Sequence, residues 1–128
     1  MKRKEAREYV MSVAFQIDAS HDWDSDFEKY LDKEELNGQY DYAYNIVSKL
    51  IKERDAIDTL INEVSDGWTT GRMAKTDLAI IRVACCEILN QEDVPKPVAI
   101  NEAVELAKKY GTENSPKFIN AILGKIEE

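Results

Sequence analysis

Histidine and cysteine are scarce in this 128-residue chain, one and two copies respectively, and that scarcity removes whole classes of chemistry. His21 stands alone in a polar, acidic stretch, with neither a second histidine nor a spaced cysteine pair, so a zinc site and histidine-dependent catalysis both lack their ligand set. Cys85 and Cys86 are adjacent and cannot bond to each other without strain; within an apolar helical stretch they read as small buried hydrophobes. The five glycines form no phosphate-cradling loop, no nucleophile motif appears, and the many carboxylates are scattered over solvated faces without an acid/base dyad. No apolar run approaches the roughly 18 residues a membrane span needs. The start, Met-Lys-Arg-Lys-Glu-Ala-Arg, is charged and leads into no signal-peptide apolar segment. The expectation is a cytoplasmic protein that is not an enzyme, uses no metal or cofactor, and has no membrane partner.

What is abundant is negative charge. The formal net charge is −8, which argues against indiscriminate coating of nucleic acid. The distribution is uneven: Asp18, Asp22, Asp24, Asp26, Glu28, Asp32, Glu34 and Glu35 face only Lys29 and Lys33, whereas Lys2, Arg3, Lys4 and Arg7 face Glu5 alone in the first seven residues. An acidic body with a small basic end suits two kinds of partner, a short nucleic acid at that end and a basic protein elsewhere.

Helical periodicity dominates and no stretch reads as an alternating strand. A first helix over about residues 3–18 puts Ala6, Val10, Val13, Ala14 and Ile17 on one face, with Phe15 opposite. An amphipathic segment with Trp23, Phe27, Tyr30 and Leu31 follows, capped by Asp22 or Asp24 and broken at Asn37-Gly38. A longer helix from Tyr40 continues or kinks near Arg54-Asp55 and runs on to Val64. After Ser65-Asp66-Gly67 comes the most apolar segment, about residues 73–90, whose apolar positions go most of the way round and mark a central helix. Pro95 and Pro97 stiffen the next connection. The chain therefore reads as all-α, about seven helices in two packed small bundles, residues 1–67 and 68–128, forming one compact unit.

The last third is the most legible part. Ala99, Ala103, Leu106, Ala107 and Tyr110 recur at helical spacing; Gly111 sits where a left-handed residue closes a helix, and Lys108 and Lys109 suit its dipole. Ser115 then reads as the cap of a final helix with Pro116 in its first position. Ile119, Ile122, Leu123 and Ile126 form that helix's core stripe, and Phe118 lies on the flank. Two readings stand for Phe118 and Tyr110: they staple the joint between the helices, or they form an aromatic platform beside Lys109, Lys117 and Lys125 on which unstacked bases lie. Phe15, off its core face, is either a partner anchor or a residue buried by a crossing helix. Asp77, an acid in an apolar helix, pairs internally with Arg82 or Arg72 or faces a basic partner; Arg82 and Glu87 read as intramolecular ion pairs.

The run Val94-Pro-Lys-Pro-Val-Ala-Ile-Asn-Glu-Ala-Val-Glu-Leu-Ala-Lys-Lys-Tyr-Gly111, followed by Lys117-Phe-Ile-Asn-Ala-Ile-Leu123, resembles the C-terminal signature of the NusB family of bacterial transcription antitermination factors. The likeness extends through Trp68 and Thr76–Leu89 and reappears at Ala6-Arg7-Glu8 and Phe15-Gln16, while residues 18–66 match only in length and pattern.

The resemblance implies two packed three-helix bundles with a common core. It implies that Arg3, Lys4 and Arg7 contact phosphates of boxA, a short single-stranded RNA element, and that Tyr110, Asn114, Lys117 and Phe118 contact its bases or sugars. It implies, through Phe15 and Asp77, a heterodimer with the small ribosomal-subunit protein NusE, which holds boxA as it leaves RNA polymerase and seeds an antitermination complex on ribosomal RNA operons. Glu5 stands at a position that can be basic in the family, so binding of RNA by this chain alone is expected to be weak. The rival implication is an accessory RNA-binding module like that of ribosomal RNA cytosine methyltransferases, against which the chain carries no cofactor-binding segment. Homodimerisation, known in the family, is a third.

Overall fold

The computed structural model describes residues 1–24, 26–90 and 93–127, and among these the regular structure is entirely helical. Six α-helices follow one another: α1 Arg3–Ser20, α2 Tyr40–Lys52, α3 Arg54–Val64, α4 Lys75–Asn90, α5 Lys96–Tyr110 and α6 Ser115–Gly124, with single 3-10 turns at Phe27–Tyr30 and Thr70–Arg72. The all-α expectation and the helix count close to seven both hold.

The centre is α4. Its side chains from Asp77 to Ile88 are all buried, and it packs against each of the other five α-helices, which is why its sequence shows no polar face. Around it the stripes read from spacing are found inside: Ala6, Val10, Val13, Ala14 and Ile17 from α1, Ala99, Ala103 and Ala107 from α5, and Ile119, Ile122, Leu123 and Ile126 from the last helix and its end. One continuous apolar cluster takes in residues from both sides of Gly67. Cys85 and Cys86 are free thiols deep within it.

Two local expectations differ. Among its described residues, the segment from Asp22 to Gly38 holds only a single 3-10 turn and a run of turns rather than a helix. Its backbone is tied down from outside: the Tyr9 hydroxyl donates to Tyr30 C=O at 2.7 Å and accepts the Asp32 N–H at 3.0 Å, and the Tyr30 hydroxyl donates to Asp22 at 2.7 Å. These bonds replace the i to i−4 ladder a helix would have used. The kink expected near Arg54-Asp55 is present, as a break at Glu53 that separates α2 from α3. Gly111 is extended, φ −90° and ψ −167°, not left-handed. Its reason is space, because a Cβ there would sit 2.5 Å from the Ser115 side chain and 2.8 Å from Ala107 C=O.

Ser115 in turn does not cap α6 from outside but begins it, and its hydroxyl accepts the Thr112 N–H at 2.9 Å. Backbone and side chain thus close the α5–α6 joint within a few residues, which fixes where Tyr110, Asn114, Lys117 and Phe118 stand.

Candidate nucleic-acid and partner interface

The basic end of α1 divides in two. Lys4 is exposed, and Arg3 is half-buried with its guanidinium 4.2 Å from the Tyr42 ring centre, its Nε donating to Gln39 at 2.7 Å and its Nη1 3.8 Å from Asp93. Arg7, expected beside them as a phosphate contact, is instead 6% exposed. Its Nε donates to the two oxygens of Glu87 at 2.9 and 3.0 Å, and its Nη1 is 3.7 Å from Glu102. Tyr42 donates its hydroxyl to the same Glu87 at 2.9 Å. Burial by itself would lower the Arg7 pKa, yet the hydrogen bond and charge of Glu87 outweigh it and raise the value above the ordinary one. A guanidinium so held joins α1 to α4 and leaves little of its surface open. The helical wheel of α1 places Arg3 and Arg7 on one face but cannot register that α4 brings a carboxylate against only one of them.

Glu5, the apparent intrusion in this basic end, serves the helix itself, since its carboxylate accepts the Lys2 N–H at 2.9 Å and caps α1.

At the α5–α6 joint the aromatics part company. Tyr110, 43% exposed, turns towards α1, where its hydroxyl donates to Glu8, and Lys109 reaches the same carboxylate oxygen at 2.8 Å. Phe118 is half-buried and packs against Trp68, ring centres 6.2 Å apart at 79°. Asn114 and Lys117 are exposed beside it. Tyr110 therefore does not staple the joint by meeting Phe118; each ring finds a partner in another element. A cleft of about 290 Å³ is lined by Lys4 and Arg7 of α1, by Lys108 and Lys109 of α5, and by the acids Glu8, Glu102 and Glu105.

On the adjoining side, Phe15 is 37% exposed, uncovered by any crossing helix, and opens into a groove of about 680 Å³ shared with Tyr9, Met11, Glu35, Thr76 and Tyr110. Asp77 lies in the first turn of α4, 9% exposed. Neither expected internal partner reaches it: Arg82 is engaged by Asp58 at 2.8 Å and Asp18 at 3.3 Å, and among the described residues Asp77 makes no ion pair. Its position suits the positive end of the α4 dipole.

Three residues to which the sequence assigned no role take part here. Glu8 and Tyr42 carry no local pattern, since their importance arises from helices that meet only in the fold. Trp68 does carry one, a large aromatic set between Gly67 and Thr69-Thr70-Gly71, where apolar side chains are normally absent. No group of acids, cysteines or histidine among the described residues is arranged to hold a metal ion, and none of the described helices is long and apolar enough to cross a membrane.

Fold and surface together define a small all-helical protein with buried ion pairs tying its helices and with one exposed tyrosine, Tyr110, beside lysines of α1 and α5. The NusB family model matches residues 4–128, and the chain belongs to the NusB family. It is 41% identical over 130 residues to the transcription antitermination protein NusB of Alkaliphilus oremlandii (strain OhILAs), covering all of this chain and 94% of that one. It is 42% identical over 129 residues to that of Agathobacter rectalis, covering 98% of each. Among solved structures, T. maritima NusB superposes with a TM-score of 0.88 at 33% identity, over 98% of this chain and 89% of that one.

Proposed function

We propose that this chain is a transcription antitermination factor that acts by binding rather than catalysis, in the cytoplasm. With a small ribosomal-subunit protein of the NusE type it grips boxA-like single-stranded RNA of ribosomal RNA operons and helps seed an antitermination complex on RNA polymerase. The observation that carries the reading is the meeting of Lys4 on α1 with Lys108 and Lys109 on α5, next to the exposed Tyr110, in a chain of net charge −8. Lys4 and Arg3 engage phosphates; Tyr110, Asn114, Lys117 and Phe118 engage bases and sugars. Arg7 supports them from within.

The exposed Phe15 in its groove and Asp77 in the first turn of α4, without an ion pair among the described residues, supply the protein-binding side. A basic ribosomal protein on an acidic body also lowers the repulsion between RNA and a chain of net charge −8. Titration of labelled boxA-like RNA tests this: weak binding by the chain alone and markedly tighter binding with the ribosomal protein are expected, and equal affinity in both mixtures refutes the cooperative arrangement. A second copy of the chain is the competing occupant of the Phe15 groove, and sedimentation of the chain alone distinguishes it.

A further inference from the structure

The connection between α3 and α4 displays an indole that the core does not need. Trp68 is 50% exposed, the most accessible of the large apolar residues. Its backbone is nevertheless fixed. Asp66 and Gly67 both take left-handed conformations, φ 49° and 89°, and turn the chain sharply. The Trp68 N–H donates to Ser65 C=O at 3.1 Å, the Ser65 hydroxyl donates back to Trp68 C=O, and Asn62 accepts the Thr70 N–H at 2.8 Å. A loop tied by these hydrogen bonds thus holds out a large apolar surface, an arrangement that marks a contact site.

What surrounds the indole narrows the occupant. Phe118 meets it nearly at right angles and Arg72 lies 5.4 Å from its ring centre. Lys117 adjoins Phe118 and is exposed, and Lys125 donates to Asp66 at the foot of the loop. Arg72 and Lys117 thus stand near the two rings with no ion-pair partner among the described residues, and Lys125 is held by Asp66. An aromatic face bordered by cations is chemistry for an unpaired base and its phosphate.

We propose that Trp68 is a second stacking surface for single-stranded RNA: a base lies on its indole next to the one held at Phe118, with Arg72 against the phosphate between them. This rests on the RNA-binding reading above and lengthens the bound strand past the α5–α6 joint.

The chain has two tryptophans, and Trp23 is half-buried under Arg54 and Arg82 at 4.3 and 5.0 Å, so it serves as an internal control. Adding single-stranded boxA-like RNA to the complex with the ribosomal partner should quench tryptophan fluorescence, and Trp68→Phe should abolish the quench. Trp68→Ala should weaken RNA binding roughly five- to a hundred-fold, the effect of losing one stacked base, with Trp68→Phe close to wild type; circular dichroism checks that both variants fold. RNA binding that is unchanged in Trp68→Ala, with no Trp68-dependent quench, overturns the proposal and leaves the RNA reading standing. A quench by the ribosomal protein without RNA overturns it in favour of a protein contact. No RNA binding by the wild-type complex overturns both.

Discussion

Arg7 and Glu87 form a buried ion pair, Nε to carboxylate at 2.9 and 3.0 Å, that fastens the first helix to the central one across eighty positions of sequence. Removing one member strands the other charge in the core. Arg7→Ala should therefore cost roughly 3–5 kcal/mol of folding stability, the usual result of breaking a buried pair, measured by denaturant unfolding. Arg7→Met together with Glu87→Met should be far milder, because no charge is left unpaired. If Arg7→Ala folds with unchanged stability and loses only RNA affinity, the pair is not structural and Arg7 is a phosphate ligand after all.

How much of this was legible beforehand follows from where the forces act. The stripe Ile119, Ile122, Leu123, Ile126 and the all-round apolar α4 are inside as spacing predicts, because burial of one helix face is written in that helix alone. Phe15, off its stripe, is at the surface for the same reason. What spacing misses depends on a second element. Arg7 is buried because α4 brings Glu87 to it, and the segment after α1 stays irregular because Tyr9 captures its backbone. Gly111 is required by the Ser115 side chain four residues later, not by its own dihedrals. The RNA and partner residues were named through family resemblance as much as through pattern, and exposure alone does not assign them.

The paired thiols give a pH prediction. Burial pushes the Cys86 thiol from 9.0 up to about 12 and raises Cys85 as well. An unfolded chain releases these protons near pH 9, while the folded one keeps them, so the unfolded state binds fewer protons between those limits. Stability contributed by the neutral buried thiols is complete below pH 9 and is lost as pH rises towards 12. Denaturant midpoints should fall from pH 8 to pH 10.5, less so in a Cys85→Ala, Cys86→Ala variant compared with its own value at pH 8. Thiol-labelling reagents should react at pH 8 only as fast as the protein unfolds; immediate labelling would refute burial.

Phe15→Asp should abolish association with the ribosomal partner while leaving helicity and thermal midpoint nearly unchanged, since the ring is already in contact with solvent. Asp77→Lys should weaken association too, with a small additional loss of stability from a cation at the α4 N-terminus. Pull-down and circular dichroism on the same preparations decide it. An unfolded Phe15→Asp would make that ring part of the core.

Glu8 occupies Lys109 and Tyr110 in the structure, and an RNA phosphate would compete with its carboxylate for both. Glu8→Gln should raise RNA affinity a few-fold and shift the salt dependence, because one more cation becomes available to release counterions on binding. The pair is largely exposed, so folding stability should change by less than about 1 kcal/mol. Reduced affinity in Glu8→Gln would mean that the carboxylate orients Tyr110 for RNA instead of blocking it.

Phe118 separates two roles in a single variant. Its ring is half-buried, packed against Trp68 at the rim and not within the Ile119–Ile126 stripe. Full burial would make Phe118→Ala cost roughly 3–5 kcal/mol of stability; a rim position predicts less, closer to the roughly 0.5–1.5 kcal/mol of an aromatic pair with some lost apolar contact. Stacking on a base predicts a further, independent loss of roughly 1–3 kcal/mol in RNA binding. Denaturant unfolding and RNA titration on the same preparation read the two quantities separately. The expected result is a modest loss of stability and a clear loss of affinity, with Phe118→Tyr retaining most of both. A stability loss near the full core value, with unchanged affinity in the folded fraction, would place Phe118 in the core and remove it from the RNA surface.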